Sequence, residues 1–226
     1  MRIAIVACDH FKRELEALTE GDPDFVLHEY LEYSYHNEPQ KLQEVVVEKV
    51  NSLEGTVDAV LLGYGVCGSL NNIVNEVRVP TVTFKADDCI AVYLTQEVYE
   101  RERKKAPFTY YSTPYFSDMD MNWQENEWEK KMGMELETED FRRMYSKMFD
   151  GYSRSLYIHT IGDRECFEKK AKKFADELSL SYETRDGTLI VIQEAIKQVK
   201  ELAAQKITER VADPYGEQAS QNGDPL

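Results

Sequence analysis

The sequence lacks any apolar run that approaches the ~20 residues of a membrane-spanning helix. Its first residues, MRIAIVAC, are too few for a signal peptide and lead at once to the charged Asp9. No other targeting signal is visible. We therefore expect a cytoplasmic protein that makes no contact with membranes.

Basic residues are also in short supply. The chain has 27 Lys and Arg against 42 Asp and Glu, which gives a formal net charge of -15 at pH 7. Nucleic acids and anionic membranes repel such a surface, so neither is expected as a partner. Much of the acidic excess lies between Gln124 and Glu139, where it is typical of a solvated helical face.

Cysteine is scarce as well, with four residues and no secretory signal. A disulfide framework is therefore not expected, and reduced thiols, metal ligands or catalytic groups are the alternatives. Aromatic residues make up 11% of the chain, which is too many for a disordered protein.

Unbroken apolar runs predict strands that are buried on both faces. They lie at 3–7, 57–63 and 79–84, and further strands are expected at 25–31, 109–112, 156–160 and 180–184. Apolar residues at helical spacing occupy the segments between most of these strands. Such alternation is typical of an α/β fold, a three-layer α/β sandwich with a mainly parallel, Rossmann-like sheet.

We assign residues 1–212 to a single α/β domain with a charged helical insertion at about 123–150. One continuous helix is expected from Asp87 to about Lys104. The segment 213–226 contains Pro, Gly, Asn and Ser but little apolar content, which predicts a disordered tail.

Three cysteines follow predicted strands. Cys8 closes the first, Cys67 lies just past the third, and Cys89 lies just past the fourth. Because parallel strands end at the same edge of a sheet, the three thiols are expected to converge there, where ligands of open α/β sheets bind. Cys166 lies in a predicted helix and does not join them. The alternative for each thiol is that it only fills space in the core.

The segment around Cys67 is rich in glycine. Gly63, Gly65 and Gly68 allow the backbone to approach a ligand closely, and with Tyr64 they are our candidates for cofactor binding. The spacing does not fit a dinucleotide fingerprint, and the Gly-Lys-Ser/Thr ending of a phosphate loop is missing.

Three motifs resemble a known family. They are VDAVLLGYGVCG at 57–68, DDCI at 87–90 and TYYSTP at 109–114. The chain is similar through most of its length to the prokaryotic domain of unknown function 1638 family. That family occurs chiefly in anaerobic bacteria and methanogenic archaea, often near genes for corrinoid-dependent methyl transfer. The resemblance implies that the cysteine site matters and supplies no established activity.

The chain departs from the family pattern at two places. Family members tend to continue with glycine after the equivalent of Cys67, whereas SLNN follows Gly68 here. They also usually carry His where this chain has Asp87. If that His is a ligand in relatives, the ligand set or the metal differs here.

Three converging thiolates can hold an iron–sulfur cluster or a zinc ion and leave one position open. We assign Cys8, Cys67, Cys89 and His10 as the metal ligands, with His28 and Asp88 as further candidates for the fourth position. The family's concentration in anaerobes favours iron–sulfur, with zinc as the alternative.

Two other functions stay open. The thiols can act without metal in a racemase-like or hydrolase-like enzyme, because a thiolate near a helix amino terminus is activated. The chain can also be an accessory or metal-delivery module in corrinoid-linked or one-carbon metabolism, although it lacks the spacing of a corrinoid-binding His loop.

A small-molecule substrate or a protein partner is expected. So is a homodimer, since two-fold interfaces are the commonest and can complete three-thiol sites. The sequence leaves open whether the protein is an enzyme.

Overall fold

The structure is a computed structural model that describes residues 1–65, 70, 73–135 and 137–212, with side chains as far as residue 209. Cys67, Gly68 and the predicted tail 213–226 lie outside the described residues. The chain divides into two compact units. The first comprises Met1–Lys85 together with the residues from Ile192 onward, and the second comprises Ala86–Val191. The single-domain interpretation of residues 1–212 stays a prediction.

The described part of the chain contains both strands and α-helices. The strands are β1 (Ile3–Cys8), β2 (Phe25–Leu31), β3 (Ala59–Gly63), β4 (Thr81–Thr83), β5 (Thr109–Ser112), β6 (Arg154–His159) and β7 (Ser181–Asp186). The helices are α1 (Lys12–Thr19), α2 (Pro39–Ser52), α3 (Cys89–Leu94), α4 (Gln96–Lys105), α5 (Pro114–Ser117), α6 (Met121–Met132), α7 (Thr138–Lys147), α8 (Arg164–Glu177) and α9 (Ile190–Ala212). Within the described part of the chain, no helix combines the length and apolar character that crossing a membrane requires.

The first unit is built on a parallel sheet of order β2-β1-β3-β4. Every residue of β1 and β3 is buried, so both faces of the sheet centre are covered. The apolar sequences IAIVAC and AVLLG require this cover, since strands without polar alternation have no face for water. The three-layer, Rossmann-like α/β prediction is confirmed.

The second unit contains a parallel sheet of order β5-β6-β7. The predicted strands are therefore shared between two sheets. An ion network centred on the buried pair Arg154 and Glu102 joins α4 to β6 and β7. Arg154 Nη1 donates to Glu102 Oε2 at 2.7 Å and to Glu183 Oε2 at 3.1 Å. Arg185 donates to the other oxygen of Glu102 at 2.7 Å, and Lys105 donates to Glu183 at 2.8 Å.

The charged insertion is helical, as the sequence predicts, and consists of α6 and α7. It also supplies core residues to the second unit. Phe141 and Tyr145 of α7 pack in one cluster with Met121 of α6 and Phe174 of α8. Most charged residues of the two helices face solvent, with Glu125 of α6 as a buried exception, so the acidic run is mainly the outer side of amphipathic helices.

Candidate thiol and imidazole site at the end of β1

The strand order of the first sheet reverses between β1 and β3. From β1 the chain crosses to β2 on one side, and β3 and β4 lie on the other side. In open parallel sheets, this reversal opens a crevice beyond the carboxyl ends of the two strands, and ligands bind there. The register pairs Ala7 with Gly63, so the residues that follow these two positions border the crevice.

Cys8 is the last residue of β1 and is 1% exposed. Its Sγ donates a hydrogen bond to Oδ1 of Asp9 at 3.6 Å. The apolar strand ends here because a 3-10 helix, Asp9–Phe11, turns the chain toward α1. A thiol and a carboxylate therefore stand side by side at the sheet edge.

His10 lies in that turn and is 1% exposed. Its ring packs on Phe11 at a centroid distance of 5.0 Å and meets the edge of Tyr33 at 6.3 Å. Burial, with a smaller contribution from the nearby charge of His36, lowers the pKa of His10 to about 3. The imidazole is therefore neutral at neutral pH, which is the form that ligates metals.

His36 belongs to the same cluster, and sequence reasoning missed it. It lies on the 3-10 helix Tyr33–Asn37 that follows β2. Its ring stacks on Tyr33 at 4.8 Å and lies 6.1 Å from the ring of Tyr64. Nε2 of His36 is buried and has no hydrogen-bond partner among the described residues. The sequence feature that could have identified His36 is its position shortly after predicted strand 25–31, whose carboxyl end lies at the same edge of the sheet as that of β1.

Burial lowers the pKa of His36, and the charge of Asp9 opposes that shift. Both histidines of the cluster therefore favour the neutral form. We call Cys8, Asp9, His10, Tyr33, His36 and Tyr64 the β1-end cluster.

The candidates for cofactor binding have structural roles of their own. A Cβ on Gly63 would lie 2.4 Å from Cβ of Ala7, so packing of β3 against β1 requires glycine there. Tyr64 is 2% exposed, and its carbonyl accepts a hydrogen bond from the Phe84 amide at 3.1 Å. Gly65 is buried. Cofactor binding by these residues stays a prediction.

Cys89 lies in the second unit as the first residue of α3. Asp88 caps that helix, because its Oδ1 accepts from the amides of Ile90 and Ala91 at 2.9 Å each. Asp88 therefore has a structural role beside its candidacy as a ligand. Cys166 is exposed in the first turn of α8.

His28, the other proposed fourth ligand, is exposed in the middle of β2. Its Nε2 lies 3.4 Å from Oγ1 of Thr19. Across the described residues, no group of three or more His, Cys, Asp or Glu side chains is arranged to hold a metal ion. Cys67 is not among those residues, and the metal assignment stays a prediction.

A cavity of about 200 Å³ lies beyond the ends of β3 and β4. Its walls include Leu62, Tyr64, Leu70, Ile73, Val74 and Thr83. Tyr64 thus borders this cavity and also contacts His36 in the β1-end cluster.

A family model described as "Protein of unknown function (DUF1638)" matches residues 30–196. The matched range includes His36, Cys67 and Cys89 and begins after Cys8 and His10. No curated protein and no solved structure matches the chain.

Proposed function

The chain belongs to the DUF1638 family of proteins of unknown function. The family supplies no activity, so the function is inferred from the residues of this chain. We propose that the protein binds a metal ion or an iron–sulfur cluster through cysteine thiolates. The ligands are Cys8, at the carboxyl end of β1, together with Cys67 and Cys89, which follow β3 and β4 in the chain. His10 is the fourth ligand, and His36 is a further donor.

One observation carries this proposal: a buried thiol, a buried imidazole and a half-buried imidazole whose Nε2 is shielded from solvent lie near the strand-order reversal of the first sheet. A cluster of thiolates repels itself and oxidises readily, and a bound cation removes both problems. The donor types suit such a group, since sulfur and imidazole nitrogen are ligands of zinc and of iron–sulfur centres, and Cys67 would have to complete a ligand set that the described residues do not form by themselves.

Asp9 has a defined part in ligation. Thiols bind metals as thiolates, so Cys8 must lose its proton. The Asp9 carboxylate already accepts the hydrogen bond of that thiol at 3.6 Å and is placed to take the proton and pass it to water. When bound, the cluster or ion would supply electron transfer or Lewis acidity.

The family resemblance favours an iron–sulfur cluster. Zinc is the alternative, and the presence of His36 beside His10 adds support for it, because mixed sulfur and nitrogen donors are typical of zinc sites.

The test is metal analysis after purification without oxygen. We expect bound iron with sulfide, or bound zinc, in the wild type. Cys8→Ser, Cys67→Ser and Cys89→Ser should each lower the metal content at least tenfold, and Cys166→Ser, an exposed cysteine of the second unit, should retain it. A wild-type protein without metal would sink the proposal, and retention by Cys89→Ser would remove Cys89 from the ligands.

We further propose a cytoplasmic homodimer that does not bind nucleic acid. The net charge of -15 supports the exclusion of nucleic acid, and the prevalence of two-fold assemblies supports the dimer. Light scattering at micromolar concentration should give twice the chain mass of 26.2 kDa. A monomer mass would contradict the dimer.

A further inference from the structure

We propose that the cavity beyond β3 and β4 is a subsite for a compact apolar group of a small-molecule ligand, whose polar end reaches the β1-end cluster. The inference rests on the proposed function, because it names the class of ligand that approaches the same site.

The chemistry of the walls selects an apolar group. Leu62, Leu70 and Ile73 are buried aliphatic side chains, and Val74 stands at the surface with 46% exposure. None of the described residues that line the cavity carries a charge. A charged group placed here would lose its hydration without gaining an ionic partner among these residues, which disfavours it.

The size of the cavity limits the group. An enclosed apolar cavity of about 150 Å³ holds benzene, and the 200 Å³ here, which is partly open to solvent, suits a group of that size or slightly larger. A branched aliphatic chain or a single ring of about six to eight heavy atoms meets this limit. A nucleotide or a corrinoid ring does not fit within this subsite.

Tyr64 connects the subsite to the cluster. Its side chain is nearly fully buried, forms one wall of the cavity, and lies 6.1 Å from the ring of His36. We therefore expect a group that fills the cavity to act on His36 through the ring of Tyr64 and to shift the His36 resonances. His28, exposed on β2 and not among the cavity walls, provides an internal reference.

Benzene is the probe for the test, followed by NMR of methyl and imidazole resonances in the full chain. We expect saturable binding with a dissociation constant of the order of 1 mM. Resonances of Ile73 and His36 should shift together, and those of His28 should not. Assignment of the His36 signals uses the His36→Gln variant.

Two variants of Ile73 then distinguish loss of benzene binding because the cavity is filled from loss because the protein does not fold. Ile73→Phe places a ring in the cavity and should weaken benzene binding at least tenfold, whereas Ile73→Val leaves the space open and should retain it. If circular dichroism shows that Ile73→Phe does not fold, Thr83→Leu serves as the filling variant.

The outcomes distinguish this inference from the metal proposal. Cys8→Ser should lose metal and still bind benzene, so the metal proposal and the apolar subsite can be confirmed or contradicted independently of each other. The subsite is overturned if the wild type shows no saturable response, or if the folded filling variant binds as tightly as the wild type. Saturation that leaves the His36 resonances unmoved would overturn the link to the cluster.

Discussion

Gly63 shows how closely β1 and β3 pack at the strand-order reversal. A methyl group at this position would lie 2.4 Å from Cβ of Ala7 and 3.3 Å from Cδ1 of Leu15. Gly63→Ala should therefore lower the free energy of unfolding by about 2–3 kcal/mol, the usual scale for an overpacked core. Urea unfolding monitored by circular dichroism measures the loss.

A double variant provides the control. Ala7→Gly removes the methyl group that Gly63→Ala strikes, so the pair of substitutions should cost less than the sum of the two single ones. Strictly additive costs would mean that Ala7 is not the obstacle and that Gly63 is needed for another reason.

The sequence predicts the positions of some, but not all, residues of the candidate site. Cys8 and His10 lie where predicted, at a strand end, because an unbroken apolar run marks where a buried strand stops. The sequence predicts cofactor binding by Gly63, which stays a prediction, and it does not reveal the contact with Ala7, because that contact follows from strand register. His36 was missed because the 3-10 helix that carries it has no apolar period.

Thr95 determines where the helix predicted from Asp87 to about Lys104 breaks. Its φ of 67° and ψ of 154° end α3 and begin α4. This backbone region is almost confined to glycine and costs other residues about 1–3 kcal/mol. Neither Gly nor Pro marks the break, which is why the sequence predicts one helix.

Thr95→Gly should raise the free energy of unfolding by about 1 kcal/mol, because relief of the strain exceeds the entropy that glycine loses on folding. Thr95→Ala is the matched control. It removes the same side-chain atoms beyond Cβ but keeps the strained backbone, so no comparable gain is expected. Chemical denaturation measures the free energy of unfolding of both variants. Equal values for Thr95→Gly and Thr95→Ala would contradict the proposed backbone strain at Thr95.

All seven strands were predicted within a few residues, since each is marked by an apolar run or an alternating pattern. Their division into two sheets was not, because the sequence does not show which strands pair. Edge strand β4 illustrates the difficulty. It has three residues in the sheet, although the apolar run 79–84 is longer. Hydrogen bonds to β3 set its length, and these depend on the register of another segment.

Ion pairs in both units make the whole molecule sensitive to acid. Hydrogen bonds from Lys200 and from the chain's first amino group lower the pKa values of Asp22 and Asp24. In the second unit, burial opposes ionisation of Glu102, but the hydrogen bond and charge of Arg154, with the charges of Arg185 and Lys105, outweigh it and hold the pKa of Glu102 below 4.5.

A carboxyl group with a lowered folded pKa stabilises the native state above its unfolded pKa, and this contribution is lost as the pH falls through the folded pKa. Stability should therefore decline below about pH 4.5. Glu102→Gln should cost about 2–4 kcal/mol at pH 7, because buried Arg154 loses its main ionic partner. The gap between wild type and variant should narrow as the pH falls below 4.5.

Urea unfolding from pH 7 to pH 3 measures both effects. Glu127→Gln, on an exposed pair with Lys130 in α6, is the control and should change stability by less than about 1 kcal/mol. A gap for Glu102→Gln that is independent of pH would show that the ionisation of Glu102 has no part in the network.

Helix α9 has a consequence for synthesis on the ribosome. Lys200 contacts Asp22 and Asp24, the latter 176 residues away in the chain, and the second unit, Ala86–Val191, is made between them. At translation rates of about 5–20 residues per second, β1 to β4 precede their closing helix by roughly 5–20 s. During that interval β1 has been synthesised and α9 has not, so apolar residues of the first unit lack the cover of α9. A chaperone that binds exposed apolar surface is expected to bind the nascent chain at this stage.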